Sequence, residues 1–495
     1  MELLTNIGNG FALAVSPEAL LFCFIGVTIG TFVGVLPGVG AMAAVAICLP
    51  LTFYLEPMVA LIMLAGIFYG AQYGSSTSSI LLNIPGTVTA AVTALDGYPM
   101  TRKGRAGQAL FITTITSFVG GSLAIIGMMV LAPIIARWAL SFSSAEYFAL
   151  MLLGLLAAST LSLGSALKGV AMVTVGLGLG MIGTDINTGT HRYTFGILNL
   201  QDGISLVAMA MGLFGVAEIL KGVAQGDRAR IDPASITIRS MLPTRQDMRE
   251  AVGAMFRGTG VGAGIGALPG SGAAVATFMA YALEKKVSRN PEKFGQGAVE
   301  GIAAPEAANN AAVQAAFVPT LTLGIPGDVL MAVLLGAMMI HGIFPGPQFV
   351  TQQPDLFWGL VASFWIGNVL LLVLNLPLIG LWVRLITIPY HILYPAMLFF
   401  ICIGVFAINN NVFDIYTVVA FGVIGYWMGR FGYPAAPLLL GFILGPMMEE
   451  HLKRALLISQ GDFSVFVTRP ISATILALAA LLVLASVYRR LRSRW

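Results

Sequence analysis

The sequence is short of charge: Asp, Glu, Lys and Arg make up 10% of its 495 residues, against about 25% in ordinary soluble domains. Apolar residues account for 57%, and the mean hydropathy is +0.89. A chain with so little polar surface to offer water reads as a multi-span membrane protein. Cysteine is scarce too. Cys23, Cys48 and Cys402 stand in apolar runs without CxxC spacing, which excludes a disulfide frame and a thiolate metal site and leaves buried thiols. There is no Gly-Lys dipeptide, so a Walker A loop and its ATP hydrolysis are excluded. No HExxH, GxSxG or Cys/His pair at ligand spacing occurs either. The four histidines, His191, His341, His391 and His451, are scattered and read as interfacial residues. A net charge of +4 provides no basic face for nucleic acid.

Where the charge falls is more telling than how much there is. No Lys or Arg precedes Arg102, and none lies between Lys293 and Arg384. The opening MELLTNIGNG lacks the basic n-region of a cleavable signal peptide, so it is expected to be retained. Positive charge gathers at Arg102/Lys103/Arg105, from Lys221 to Arg257, at Lys285/Lys286/Arg289/Lys293, at Lys453/Arg454, and in the tail Arg489/Arg490/Arg492/Arg494. By the positive-inside rule these segments face the cytoplasm, which places the C-terminus there.

Apolar runs of spanning length, about 17–25 residues, cover 107–134, 145–163, 166–183, 203–221, 355–383, 388–407, 412–429 and 470–488. Gly- and Pro-interrupted apolar stretches cover 19–53, 57–100, 251–283 and 303–345. The fold expected is an all-α polytopic membrane protein of about 12 transmembrane helices. The hydrophilic stretch 225–250 reads as a cytoplasmic linker between a first membrane half, 1–224, and a second, 251–495.

The halves share motifs in the same order. GVLPGVGA (34–41) matches GALPGSGA (266–273), and ILLNIPG (80–86) has a counterpart in LTLGIPG (321–327). The loop after PGVG has no basic residue, whereas the one after NIPG carries Arg102, Lys103 and Arg105. In the second half the pattern reverses. Equivalent loops therefore fall on opposite sides, which is the charge signature of an inverted repeat. Residues 258–283 lie between Arg257 and Lys285, both expected inside, so each PG segment reads as a re-entrant hairpin. Its tip would be Pro37, Gly38 and Gly40 in one half and Pro269, Gly270 and Ser271 in the other. Such a tip leaves backbone groups free for substrate or Na⁺; two full helices joined by a Pro-Gly turn is the alternative.

Beside the second motif lie polar side chains in apolar surroundings. Ser75, Ser76, Thr77, Ser78, Ser79 and Asn83 lead up to Gly86. Asn309, Asn310, Gln314, Thr320 and Thr322 lead up to Gly324 and Gly327. Hydroxyls and amides can bind an anion or ligate a cation without the cost of an intramembrane charge. After each IPG a helix is expected to open, at Thr87 and at Asp328, with an N-terminus that favours anions. Asp328 is either its cap or a cation ligand. Asp96, Asp185, Glu300 and Glu306 receive no role from the sequence. Gly120, within an apolar run, is expected to tolerate alanine.

Taken together, GVLPGVGAM, FYGAQYGSSTSSILLNIPG, LDGYPMTRKGRAGQAL, GALPGSGA, APEAANNAAVQAAFVPTLTLGIPGD and HGIFPGP resemble the large membrane subunit of the tripartite tricarboxylate transporters, the TctA family. The resemblance covers essentially the whole chain. It implies a multi-pass permease of the bacterial inner membrane that works with a small membrane subunit (TctB-like) and a periplasmic solute-binding protein (TctC-like). It further implies import of a tricarboxylate or related organic anion, driven by a Na⁺ or H⁺ gradient, with no cofactor and no catalysis. At Gly70–Gly74 the chain departs from a more glycine-rich family pattern, and Gln72 there would tune the substrate. A membrane-embedded enzyme and a passive organic-anion channel are the rival readings. The inverted plan predicts that cysteines near Glu56 and Gln348 label from the periplasm, and ones near Lys103 and Lys286 from the cytoplasm. Labelling of the Glu56 and Lys286 sites from one side would remove it.

Overall fold

The computed structural model describes residues 2–36, 40–83, 86–161, 165–185, 189–217, 219–221, 238–268, 272–385 and 390–492. The chain is all-α. The first half holds α1 (Glu2–Ala14), α2 (Pro17–Val35), α3 (Gly40–Thr52), α4 (Pro57–Leu82), α5 (Ala90–Arg102), α6 (Ala106–Ala139), α7 (Ser144–Leu161), α8 (Ala166–Gly180) and α9 (Leu206–Ala210), which runs on as a π-helix, Met211–Val216. The second holds α10 (Arg245–Gly266), α11 (Gly272–Val287), α12 (Glu300–Ala315), α13 (Phe317–Leu323), α14 (Val329–Ile340), α15 (Pro347–Gln352), α16 (Pro354–Asn375), α17 (Ile379–Leu385), α18 (Tyr390–Asn409), α19 (Val412–Arg430), α20 (Ala435–Ile458), α21 (Val465–Thr468) and α22 (Pro470–Arg492). The exception among the described residues is a two-residue hairpin, Gly183–Thr184 paired with His191–Arg192. By length and composition, α2, α4, α6, α16 and α19 can cross a membrane.

The helix starts follow local chemistry. Pro occupies the first turn of α2, α4 and α16, where its missing N–H would be unpaired anyway. Thr244 and Asp247 form a capping box that opens α10. That helix therefore begins inside the stretch 225–250 expected to be linker, and it is longer than the short hairpin arm expected from 258. Its first four turns carry the charges. The break between α12 and α13 falls three residues before Pro319, whose ring nitrogen has no hydrogen to give Ala315.

Helix packing rests on small residues. Gly26, Gly30 and Gly34 of α2 press against the backbone at Met63, Ile67 and Ala71 of α4, while Gly70 and Gly74 of α4 press back on Val27 and Thr31. In the second half Gly258, Gly262 and Gly266 of α10 press against Ala304, Ala308 and Ala312 of α12. The register is shared: Gly34 and Gly266 each open a PG motif, and Ala71 and Ala312 each stand twelve residues before the cap that ends the motif helix. Gly120 belongs to this close packing as well. A Cβ there would lie 2.5 Å from the Ala307 carbonyl oxygen of α12, so the tolerance of alanine expected from sequence is overturned.

The ends of the helices are held by polar contacts. Arg105, after α5, donates to both carboxylate oxygens of Asp247 at 2.7 Å. Arg257 and Glu284 join α10 to α11 at 2.5 Å, so the two arms of that hairpin open at one end. Elsewhere Arg192 and Lys453 pair with Asp185 and Glu449, and Arg469 with Glu146. Burial works to raise the Glu449 carboxyl, but hydrogen bonds from Lys453 and Arg192 outweigh it and hold it below the usual range. His451 stacks on Tyr147 at the same place. α22 starts there, beside Arg469, and runs away from it. Lys453 is part of an acid-balanced cluster, and such a pair of cations says little about side.

The packing predicts a contrast on one helix. A Cβ at Gly262 would come within 2.6 Å of the Ala308 Cα, whereas one at Gly264 meets nothing within 4 Å. Gly262→Ala should lower the thermal unfolding midpoint in detergent, with a cost of about 1–3 kcal/mol for overpacking. Gly264→Ala should leave it unchanged or raise it, because alanine is the better helix former. Equal midpoints for the two would refute close packing at this face.

Candidate functional site

The polar turns of α4 are wholly inside the protein, and they meet α5, α6 and α12. At the centre is Glu306 of α12, fully buried. Its Oε1 accepts from Ser76 of α4 at 2.7 Å and from Thr93 of α5; its Oε2 accepts from Ser117 of α6 at 3.1 Å. One helical turn along α12, the Asn309 amide donates to Gln72 Oε1 at 3.3 Å, and the Thr89 hydroxyl donates to the same oxygen at 2.9 Å. Thr89 is hydrogen-bonded to Thr87, and Thr87 to Ser75, each at 2.8 Å. The result is a continuous polar layer, Ser75–Thr87–Thr89–Gln72–Asn309, beside the Glu306 cluster. Asn309 Oδ1 and Gln314 Oε1 are buried with no hydrogen-bond partner among the described residues, which leaves two acceptors free.

Several residues expected in the site serve their own helices instead. Thr77, Ser78, Ser79, Thr320 and Thr322 donate to backbone carbonyls three or four residues back, and the Asn310 amide donates to the Glu306 carbonyl. Asn83 ends α4 in the left-handed conformation at φ 57°, and Gly324 ends α13 the same way at φ 69°. The two are equivalent positions of the IPG motifs, so Asn83 works as a cap. Gly86 and Gly327 also match. A Cβ at Gly86 would meet Ser75 Oγ at 3.1 Å, and one at Gly327 would meet the side chain of Ala316, the counterpart of Ser75, at 2.8 Å. Gly40 begins α3. Pro37, Gly38, Pro269, Gly270 and Ser271, the two tips, lie outside the described residues.

The helix after NIPG does not open at Thr87 as expected. It starts at Ala90, because Thr87 and Thr89 are held in the polar layer. After GIPG the expectation stands: Asp328 accepts from the Met331 N–H at 2.8 Å as N-cap of α14. Sequence reasoning gave no role to Glu306, Thr93 or Ser117. A carboxylate among small residues in an apolar helix was the available signal for the first. It also left Asp96 unplaced. That carboxylate accepts from the Gly295, Gly297 and Ala298 N–H groups at 2.8 Å each and from the Tyr281 hydroxyl at 2.9 Å, fastening α5 to the loop before α12.

Buried polar side chains from both halves, gathered between spanning helices, define a polytopic membrane protein with an interior polar site. The chain belongs to the Tripartite tricarboxylate transporter TctA family, whose sequence model matches residues 20–440. An "Uncharacterized 52.8 kDa protein in TAR-I ttuC' 3'region" of Agrobacterium vitis is 49% identical over 494 residues, covering 100% of this chain and 98% of the relative. An "Uncharacterized protein in TAR-II ttuC' 3'region" of the same organism is 54% identical over 230 residues, 46% of this chain and 95% of that protein. No solved structure matches.

The matched caps make a test of Asn83. Asn83→Gly copies Gly324 and should preserve both folding and transport. Asn83→Ala places a Cβ-bearing residue without asparagine's local hydrogen bonding in the left-handed region and should cost about 1 kcal/mol of stability. Loss of uptake by Asn83→Gly with an unchanged unfolding midpoint would return the amide to the binding site.

Proposed function

We propose that the chain is the large permease subunit of a secondary transporter that imports an organic carboxylate, a tricarboxylate or related anion, by alternating access coupled to a Na⁺ or H⁺ gradient. It works with a small membrane subunit and a periplasmic solute-binding protein. The observation that carries this, in a chain of the tricarboxylate transporter family, is the buried polar layer built jointly from Ser75, Ser76 and Gln72 of one half and Glu306 and Asn309 of the other. A site made from two halves can be opened to either side by moving one against the other.

The halves form inverted repeats, in a total of about 12 spans, with the C-terminus cytoplasmic. Support for inversion comes from crossed contacts. The end of α3, in the first hairpin, meets the end of α14 of the other half, where Thr52 Oγ1 lies 3.1 Å from His341 Nε2. The end of α11, in the second hairpin, meets α5 of the other half through Tyr281 and Asp96. The first junction carries no Lys or Arg, and the second lies near Lys103, Arg105 and Arg257. The hairpin tips expected from the sequence are where a carboxylate would be held, and the Asn309 and Gln314 oxygens are acceptors for its coupling cation or proton.

Uptake of radiolabelled citrate, succinate and benzoate into proteoliposomes holding both membrane subunits, with and without a binding protein and an imposed gradient, tests this. Saturable, gradient-driven, binding-protein-dependent accumulation of at least one of them is the expected result. Asn309→Ala should weaken its half-saturation by about 5- to 150-fold, the loss of a hydrogen bond that strands a partner of about 1–3 kcal/mol. Downhill, non-saturable flux would favour the channel, and chemical alteration of the solute the enzyme.

A further inference from the structure

Glu306 is a buried acid that carboxylate binding leaves without a task. We propose that Glu306 is the proton-carrying group of the transport cycle. It takes a proton from water on the outer face and releases it to water on the inner face in the same cycle that carries the anion. This rests on the transporter function proposed above and names its coupling ion.

Three features support a proton in preference to a metal cation. First, the groups hydrogen-bonded to the carboxyl are all hydroxyls: Ser76, Thr93 and Ser117, one from each of three helices. A hydroxyl can donate to the ionised carboxylate and, after rotation, accept from the protonated acid, so the same cluster serves both states. Second, Gln72 Oε1, in the polar layer beside the cluster, already accepts from Thr89 and Asn309 and is not free to turn toward a cation at Glu306. Third, no basic side chain is paired with Glu306 among the described residues. An uncompensated charge at that depth is costly, which favours the neutral acid there, its Oε2–H donating to Ser117 once that hydroxyl rotates.

Among the other titratable groups on the surrounding helices, the Tyr69 hydroxyl of α4 and Glu300 Oε2 of α12 are buried without a hydrogen-bond partner among the described residues, and three more are engaged. Tyr73 of α4 donates to Asn368 of α16, Asp96 of α5 is held by four donors, and Arg257 of α10 is paired with Glu284. Glu300 lies at the start of α12, six residues before Glu306, and is the natural control. Coupling follows from sign. An ionised Glu306 repels an anionic substrate held near the adjoining polar layer, and protonation removes the repulsion, so proton and carboxylate bind together.

The test uses the assembled transporter in proteoliposomes, with the member of the citrate, succinate and benzoate panel that the parent accumulates. Glu306→Gln mimics the protonated state. It should retain exchange of internal labelled for external unlabelled substrate and lose accumulation driven by an imposed pH gradient. The parent's substrate affinity should rise by about 5- to 150-fold from alkaline to acid pH, the range of ordinary coupling free energies. In Glu306→Gln it should be independent of pH, in Glu306→Asp the profile should reappear with a displaced midpoint, and Glu300→Gln should behave as the parent. Undiminished pH-driven accumulation by Glu306→Gln overturns the assignment. So does accumulation by the parent that follows a Na⁺ gradient and ignores a pH gradient. Loss of exchange in both Glu306 variants with an unchanged unfolding midpoint makes the residue part of the substrate site and overturns it as well. A parent that transports no member of the panel refutes the proposed carboxylate transport itself, a result distinct from all of these.

Discussion

The structure depends on how closely two pairs of helices approach. In a bilayer, lipid tails satisfy apolar side chains as well as another helix does, so helices associate through close packing and the polar contacts that packing permits. Glycines 26, 30 and 34 on α2, and 258, 262 and 266 on α10, bring backbone against backbone along α4 and α12. α4 and α12 are the helices that carry the polar clusters. Held this tightly on one face, they keep a fixed rotation about their own axes, and the opposite faces present Ser76 and Glu306 to each other. A side chain at Gly30 or Gly262 would displace the helix on which a site residue sits.

Close packing also explains how so many hydroxyls are tolerated inside. Most are satisfied by the carbonyl one turn back on their own helix, which leaves the helix exterior apolar and asks nothing of its neighbours. The polar layer and the Glu306 cluster are instead held across elements, through Gln72, Ser75, Ser76, Thr87, Thr89, Thr93, Ser117, Glu306 and Asn309. A second set, Tyr73, Asn368 and Ser122, ties α4, α16 and α6 together with hydrogen bonds of 2.9 and 3.0 Å and gives α4 a further anchor. Bonds within a helix and bonds between helices are separated by where each hydroxyl spends its hydrogen, not by residue type.

That distinction marks the limit of what could be read from sequence. The all-α membrane class was legible because apolar runs and scarce charge are properties of composition. So was the shared order of motifs, since PG and IPG are local patterns. Their equivalence extends to conformation, with Asn83 and Gly324 both left-handed caps, because the backbone demand there is local too. The site was less legible. Ser75, Ser76 and Asn309, which lie in the buried polar layer, were grouped with Thr77, Ser78, Thr320 and Thr322, because sequence cannot tell a hydroxyl bonded along its own helix from one bonded across. Glu306 escaped because its partners come from three other helices, distant in the chain. The start of α10 was hidden in a hydrophilic stretch, although Thr244-x-x-Asp247 is a helix-start pattern that could have revealed it.

The two crossed junctions differ in strength, and the difference has a consequence for movement. Asp96 joins α5 to the second hairpin's base through three backbone N–H groups and the Tyr281 hydroxyl. A carboxylate accepting several such bonds is among the stronger polar contacts a protein makes. The other junction has the Thr52–His341 contact, with Phe53 stacked on the same imidazole. If the halves move against each other, the junction that gives first is the weaker one, between α3 and α14. The Asp96 junction also fixes the start of α12, the helix that carries Glu306 and Asn309. In the proposed transport cycle, opening at the Thr52–His341 end would leave α12 seated, whereas opening at the Asp96 end would have to release the N-terminus of the helix that carries Glu306 and Asn309.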